Sequence, residues 1–269
     1  MPKKINITIT GAFGRMGQIL IKCLLKKKIF KLYSLTDLKI GKKIGKINVQ
    51  SNCLKAFEKT DVIIDFSTPK STIEMLNLAT KLKKKIVIGT TGFTKKQEFL
   101  INKFSKKTSI FKSGNMSLGI NLLEYITKVL SKKISSDYKI GIIDNHHKAK
   151  IDYPSGTALM LANAVSKGKN KNFENFKGKI FLNKKGTLQN NKINFFIKRK
   201  DKTIGEHSVI YQNKIENIEL KHVAFSRELF AEGAIKAAIW ILKKKRAYLI
   251  CKTCLALSSF YLKYFNAIK

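Results

Sequence analysis

Short runs in which apolar side chains alternate or follow one another are separated by longer runs in which they return every three or four residues. Ile5–Thr10 alternates and is rich in β-branched residues, predicting a strand. Gly11 opens a turn, after which Met16, Ile19, Leu20, Cys23 and Leu24 recur at helical spacing. Further strands are predicted over 31–37, 61–66, 85–89 and 109–111. The run 61–66 is apolar enough to be buried on both faces. Between them fall helices over 71–82, following Pro69 with Ser71 as N-cap, and over 95–104. This β-α-β alternation predicts a doubly wound, parallel, Rossmann-like sheet.

From about Leu118 the pattern changes. A helix is predicted over 119–130, a strand over 139–143, a loop with two adjacent histidines, and a helix over 155–165. Residues 167–191 are rich in Lys, Asn and Gly and weakly patterned, predicting loop with an edge strand. Strands over 193–198, 206–212 and 215–222 follow without helices between them, which predicts an α+β domain with a mixed or antiparallel sheet. A helix over 227–242 is expected to return to the first domain. The expected division is therefore 1–117 with 227–269, and 118–226.

At 269 residues and 44% apolar, the chain is long enough for two buried cores. A net charge of +37 raises the question of nucleic acid. Arg15, Arg199, Arg227 and Arg246 are the only arginines among 54 basic residues, and the lysines are spread over almost every segment. Phosphate and base readers cluster their charge and favour the arginine fork, so no specific nucleic-acid partner is expected. The last apolar stretch, Ala247–Phe265, is interrupted by Lys252 and Lys263 and is too short between charges for a membrane span. No apolar leader precedes the first predicted strand, so a cytoplasmic protein with reduced Cys23, Cys53, Cys251 and Cys254 is expected. Cys251 and Cys254 have C-x-x-C spacing but no second ligand pair, and no metal is expected.

Candidate chemistry concentrates in Asp144–Thr157, which holds two of the four histidines, Lys148, Lys150 and a Pro154-Ser-Gly-Thr157 turn that opens a predicted helix. Imidazoles titrate near neutrality, and a helix N-terminus offers free N–H groups to an anion. The combination suits an anionic substrate that must also gain a proton. The plain alternative is a solvated basic loop with a helix cap. Gly11-Ala-Phe-Gly-Arg-Met-Gly17 lies at a strand-to-helix turn, where glycines allow close backbone approach to a dinucleotide phosphate. Asp37 ends the next predicted strand, where an acid can bond ribose hydroxyls. Gly89-Thr-Thr-Gly92, Asp65-Phe-Ser-Thr-Pro69 and Ser113-Gly-Asn-Met-Ser117 occupy similar strand ends, and each alone could be an ordinary turn. His207 and His222 fall on predicted strands and read as structural.

In this order, these segments resemble the 4-hydroxy-tetrahydrodipicolinate (dihydrodipicolinate) reductase family, from Lys4 to roughly Leu242. Arg199 before Gly205-Glu-His207, and Ser226-Arg-Glu-Leu-Phe-Ala-Glu-Gly-Ala234, match as well. The resemblance implies NADH- or NADPH-dependent reduction of a cyclic dicarboxylate in the diaminopimelate route to lysine. It implies His146 as proton donor and acceptor, Lys150 as proton donor, and His147, Gly156 and Thr157 as substrate contacts. Gly11, Ala12, Phe13, Gly14, Arg15, Met16, Asp37, Gly89, Thr90, Thr91, Ser113, Gly114, Asn115 and Met116 are the implied cofactor contacts. It further implies a dinucleotide-binding first domain, a substrate-binding and oligomerisation second domain, a homotetramer, and hinged closure of the domains over both ligands.

Two departures stand out. Asp37-Leu-Lys39 lacks the arginine that many members place beside the acid, which points to NADH or dual use. Beyond Leu242 the chain becomes Lys-rich and apolar. Other two-domain nicotinamide dehydrogenases would explain the glycine-rich turn but not His-His-x-x-Lys joined to Ser-Gly-Thr. A non-catalytic nucleotide sensor would not require His146 and Lys150.

Overall fold

The computed structural model describes residues 3–200, 202–244 and 248–250. Arg246, Cys251, Cys254 and most of the Ala247–Phe265 stretch lie outside the described residues. The chain divides into two compact units, one of Met1–Ser117 with Glu228–Lys269, the other Leu118–Arg227.

The first unit begins β1 (Ile5–Thr10), α1 (Arg15–Leu25), β2 (Phe30–Thr36), β3 (Lys43–Ile44), β4 (Ile47–Gln50) and α2 (Leu54–Phe57). It continues β5 (Val62–Asp65), α3 (Pro69–Lys81), β6 (Lys85–Ile88), α4 (Lys95–Ser105) and β7 (Ile110–Lys112). The sheet order is β13-β7-β6-β5-β1-β2-β4-β3, where β13 is Tyr248–Ile250, and all neighbours are parallel except β3 and β4. Successive strand residues point to opposite faces. Val62 and Ile64 therefore join the core beneath α1 and the later helix α8 (Glu228–Leu242), while Ile63 joins the core beneath α3 and α4. Both faces are covered, as the apolar run of β5 requires.

Caps set the helix starts. Thr68, not Ser71, caps α3: its hydroxyl accepts the Ser71 N–H, and Pro69 takes the first turn, where a missing N–H costs nothing. Thr94 and Gln97 form a reciprocal capping box on α4. Lys85 on β6 closes the other end of α8, its Nζ reaching the carbonyls of Ile241, Leu242 and Lys244 at 3.0, 2.5 and 2.7 Å. A cation there answers the unpaired carbonyls at a helix C-terminus.

The second unit contains α5 (Leu118–Lys133), β8 (Lys139–His146), α6 (Gly156–Gly168), α7 (Phe173–Phe176), β9 (Lys177–Leu182), β10 (Ile193–Arg199), β11 (Gly205–Gln212) and β12 (Asn217–Ala224). Its mixed sheet runs β12-β11-β8-β10-β9, with β8, β10 and β9 parallel and β11 antiparallel to both neighbours. One face is buried, with Ile142, Phe195 and Val209 packing on Leu161 and Val165 of α6 and Ile120 of α5. On the other face Ile143, Phe196 and Ile210 line a broad groove of about 1070 Å³ that Leu188 also borders.

The structure adjusts three expectations in this unit. The strand before the histidines continues through His146, because Arg199 on one side and β11 on the other keep its backbone in the ladder. The stretch 167–191 contains α7 as well as strand β9. The last strand starts at Asn217, because the Asn213 side chain accepts the N–H groups of Ile215 and Glu216 in a turn. Among the described residues, no helix is long and apolar enough to cross a membrane.

Candidate active site

In the first unit the strand ends converge on one buried carboxylate. Asp65 is fully buried and accepts the hydroxyls of Thr10, Ser67, Thr72 and Thr90, which ties the ends of β1, β5 and β6 to the start of α3. This fixes the loops on either side of the point where the strand order reverses, between β1 and β5, where open α/β sheets bind ligands. Gly11, Phe13, Gly14, Asp37, Lys39 and the Phe66–Thr68 turn border a cavity of about 270 Å³ there.

The glycines have steric reasons. Gly11 has φ +76°, and a Cβ on it would sit 2.2 Å from the Phe66 carbonyl oxygen. A Cβ at Gly17 would sit 2.1 Å from the Gly11 carbonyl oxygen, so α1 can start this close to the turn only with glycine there. Gly14 caps α1 without a side-chain bond, and no acidic residue occupies the first turn. The N-terminal N–H groups of α1 thus have no acceptor from its own cap or first-turn side chains, which suits a phosphate. The Asp37 carboxylate accepts the N–H of Phe13 at 2.9 Å and of Lys39 at 3.2 Å, so it borders the cavity as a fixed acceptor. These residues fit a dinucleotide.

The other expected cofactor contacts divide. Ala12 is buried in the core, Arg15 is exposed, and Met16 packs partly against the α1 face of the sheet. A Cβ on Gly89 would strike the Phe66 ring at 2.2 Å, and the Thr90 hydroxyl is engaged with Asp65 and the Ser67 N–H. Exposed Thr91 lies beside Gly114, which brings the β6 and β7 ends together. The Ser113 and Asn115 side chains turn inward to bond their own loop, and Met116 is buried. Contacts from Thr90, Ser113, Asn115 and Met116 would thus come chiefly from backbone.

In the second unit the centre is Asp144, fully buried on β8. Its Oδ2 accepts the Ser155 N–H at 2.7 Å and Arg199 Nη2 at 2.9 Å. Its Oδ1 lies 2.8 Å from His146 Nδ1 and 3.4 Å from His207 Nε2. The Oδ1–Nδ1 contact with His146 is close but not an aligned hydrogen bond, so it is an electrostatic contact between the carboxylate and the ring edge. Strand register assembles the group: His146 pairs with Arg199 across β10, and Asp144 with His207 across β11. The His146 and His207 rings meet edge to face at 4.9 Å. Three potential metal-ligand atoms lie within 4.8 Å here, but the Arg199 guanidinium already balances the Asp144 charge.

Burial alone would raise the Asp144 carboxyl, but His146, His207, Arg199 and the Ser155 N–H override it and hold it far below the usual carboxylate range. Burial lowers the His146 imidazole below its ordinary value, against the opposing pull of Asp144. The ring is therefore neutral at pH 7 yet beside a charge able to stabilise its protonated form.

Around this cluster lie the remaining expected residues. Ser155 caps α6 through the Ala158 N–H, setting Gly156 and Thr157 in the helix's first turn. Among the described residues, a Cβ at Gly156 would meet nothing within 4 Å, which leaves space for a ligand at that end. Lys150 Nζ rests on Asp152 at 2.8 and 2.9 Å, and Arg199 grips the Asp152 carbonyl at 2.9 Å. His147 Nε2 lies 3.5 Å from Arg227 Nη2. Sequence reasoning did not single out Asp144, Arg199 or His207 as parts of one cluster. The available signal was a charged residue at an inward position of an apolar strand, which demands a buried partner.

Comparison with known proteins matches both halves. The family described as "Dihydrodipicolinate reductase, N-terminus" covers residues 5–116, and "Dihydrodipicolinate reductase, C-terminus" covers 119–255, past Leu242, where the resemblance by motif ended. A 4-hydroxy-tetrahydrodipicolinate reductase of Pelagibacter ubique (strain HTCC1062) is 52% identical over 244 residues, 90% of this chain and 95% of that protein. One from Buchnera aphidicola subsp. Cinara cedri (strain Cc) is 43% identical over 260 residues, 91% and 94% of the two chains. The solved dipicolinate-bound dihydrodipicolinate reductase from Paenisporosarcina sp. TG-14 shares the fold, with TM-score 0.73 at 22% identity over 92% of this chain and 97% of that one. With matches over both units and relatives of nearly the same extent, this chain belongs to the dihydrodipicolinate reductase family.

Proposed function

We propose that this chain catalyses the NAD(P)H-dependent reduction of 4-hydroxy-tetrahydrodipicolinate to tetrahydrodipicolinate, in the diaminopimelate route of lysine biosynthesis. The observation that carries the reading is the juxtaposition in the second unit of a buried imidazole and the open N-terminus of α6, both tied to Asp144. Loss of water from the 4-hydroxy substrate leaves a cyclic conjugated imine, whose carboxylates need cations and N–H donors and whose reduction takes one hydride and one proton. The names of the relatives and the dipicolinate bound to the Paenisporosarcina enzyme support that substrate class.

In this reading Gly156 and Thr157 offer backbone N–H groups to a carboxylate, with His147 beside them. Lys150 leaves Asp152 to neutralise charge and deliver a proton. His146 passes the proton at the reacting centre, its lowered basicity making the protonated ring a stronger acid. When bound, the nicotinamide supplies the hydride. Gly11–Met16 and Asp37 would hold the adenosine and phosphate portion of the dinucleotide, and the loops Gly89–Thr91 and Ser113–Met116 would complete the site at the neighbouring strand ends.

NADH or dual use is the expected preference: Asp37 presents a fixed acceptor for ribose hydroxyls, and Lys39 is the cation bordering the same cavity. The chain is expected to work in the cytoplasm as a homotetramer. The groove-bearing face of the second sheet supports that assembly, since a monomer leaves its apolar residues partly exposed. NAD(P)H oxidation coupled to dihydrodipicolinate synthase, run with each cofactor, tests the reading. Turnover is expected with NADH. Absence of turnover with either cofactor would overturn the reductase, and an NADPH advantage in kcat/KM well above tenfold would overturn the cofactor preference alone.

A further inference from the structure

We infer that Asp144 is the positioning residue of the proton-transfer site. It holds His146 in the tautomer with its proton on Nδ1, leaving Nε2 to exchange protons with substrate, while Arg199 keeps Asp144 ionised for that task. The inference rests on the proposed role of His146 in the reduction.

Four observations converge. An ionised carboxylate only accepts, so an oxygen 2.8 Å from His146 Nδ1 favours the tautomer with hydrogen on that nitrogen over the one with a lone pair there. The carboxylate cannot move away, because Ser155 N–H and Arg199 hold its other oxygen and Arg199 Nη1 holds its backbone carbonyl at 2.9 Å. The His207 ring stands against the His146 ring and is anchored in turn by the Ser155 hydroxyl at 3.2 Å. Finally, Nε2 faces Gly205: a Cβ there would sit 3.2 Å from it, so glycine leaves that nitrogen room. The guanidinium and carboxylate cancel, and the neutral ring adds no charge until it is protonated. The same Asp144 oxygen that takes Arg199 also takes the N–H at the cap of α6, so one residue sets both the proton donor and the start of the proposed carboxylate site.

The charged and titratable groups facing His146 are Asp144 from its own strand, His207 from β11 and Lys150 from the following loop, with Arg199 acting through Asp144. Asp144 raises the ring's basicity, while burial, His207 and Lys150 lower it. Replacing Asp144 by Asn removes the raising influence and should move the alkaline limb of kcat/KM to lower pH.

The test combines ¹⁵N-histidine NMR of the full chain with steady-state kinetics of Asp144→Asn, Asp144→Glu and His146→Gln. The wild-type His146 signals, assigned by their loss in His146→Gln, are expected to show Nδ1–H. Asp144→Asn is expected to lose roughly 10²–10³-fold in kcat with NADH affinity unchanged, and Asp144→Glu to recover part of it. A wild-type Nε2–H tautomer would overturn the assignment whether or not the variants fold. So would an Asp144→Asn protein with unaltered tautomer and unmoved pH limb while His146→Gln is inactive. If His146→Gln keeps full turnover, the proposed role of His146 fails first.

Discussion

Replacing Arg199 by Met should destabilise the second unit, and most of the reason is the charge it leaves behind. The side chain is 6% exposed and makes four bonds: to the Asp144 carboxylate, to the Asp144 and Asp152 carbonyls, and to its neighbour Lys198. Removing one partner of a buried ion pair costs about 3–5 kcal/mol, mainly because the other charge stays buried. Asp144 keeps the Ser155 N–H and its two histidines, so the lower end, about 3 kcal/mol, is expected. Urea unfolding followed by far-UV circular dichroism reads the loss; Trp240 fluorescence would not, because Trp240 lies in the first unit. The pH dependence supplies a second check. In the wild type the folded Asp144 value is depressed, so its stabilising contribution is complete above the ordinary carboxylate pKa of about 4 and declines as pH falls below it. The variant has less of this contribution to lose. The gap between the two proteins should therefore be widest at pH 7 and narrow toward pH 3. Arg199→Lys, keeping charge without the fork, should fall between them. A variant within about 1 kcal/mol of wild type at pH 7, or a gap that widens in acid, would refute the reasoning.

Three further substitutions probe other parts of the account. Gly17→Ala forces α1 away from the Gly11 carbonyl and should weaken NADH binding by about 5- to 150-fold, from overpacking of about 1–3 kcal/mol; unchanged affinity by fluorescence titration would count against the cofactor site. Gly205→Ala should crowd His146 Nε2 and lower kcat by about tenfold with NADH affinity retained; an unchanged kcat would show that this nitrogen does not work at that face. Asp65→Asn exchanges an acceptor of four hydroxyls for a group that is half donor. It should destabilise the first unit by about 2 kcal/mol, read by Trp240 fluorescence in urea, and an unmoved midpoint would contradict the proposed role of Asp65.

Much of the first unit was legible because its elements follow from local pattern. The alternation of Ile5–Thr10, the glycines that follow it and the stripe from Met16 to Leu24 lie within a few residues of one another and give β1, the turn and α1 directly. The β3–β4 hairpin was not visible, since Gly41-Lys-Lys-Ile-Gly45-Lys46 shows neither period and gains its strands from pairing alone. In the second unit, His-His-x-x-Lys marked the region of the candidate site but not its organisation. Asp144, Arg199 and His207 are brought together by register across β8, β10 and β11, and register between distant strands leaves no local trace. The cap of α3 was displaced for a different reason. Pro69 is favoured at the first helical position, so the cap precedes it, and Ser71 falls inside the helix.

In the proposed reaction the buried imidazole on β8 carries the proton of a nicotinamide-dependent reduction. The most direct measurement pairs coupled-assay turnover with NADH affinity in His146→Gln. Affinity is expected to stay within about twofold of wild type while kcat falls by at least about 100-fold. Retained turnover, or loss of turnover only in step with loss of NADH binding, would contradict it.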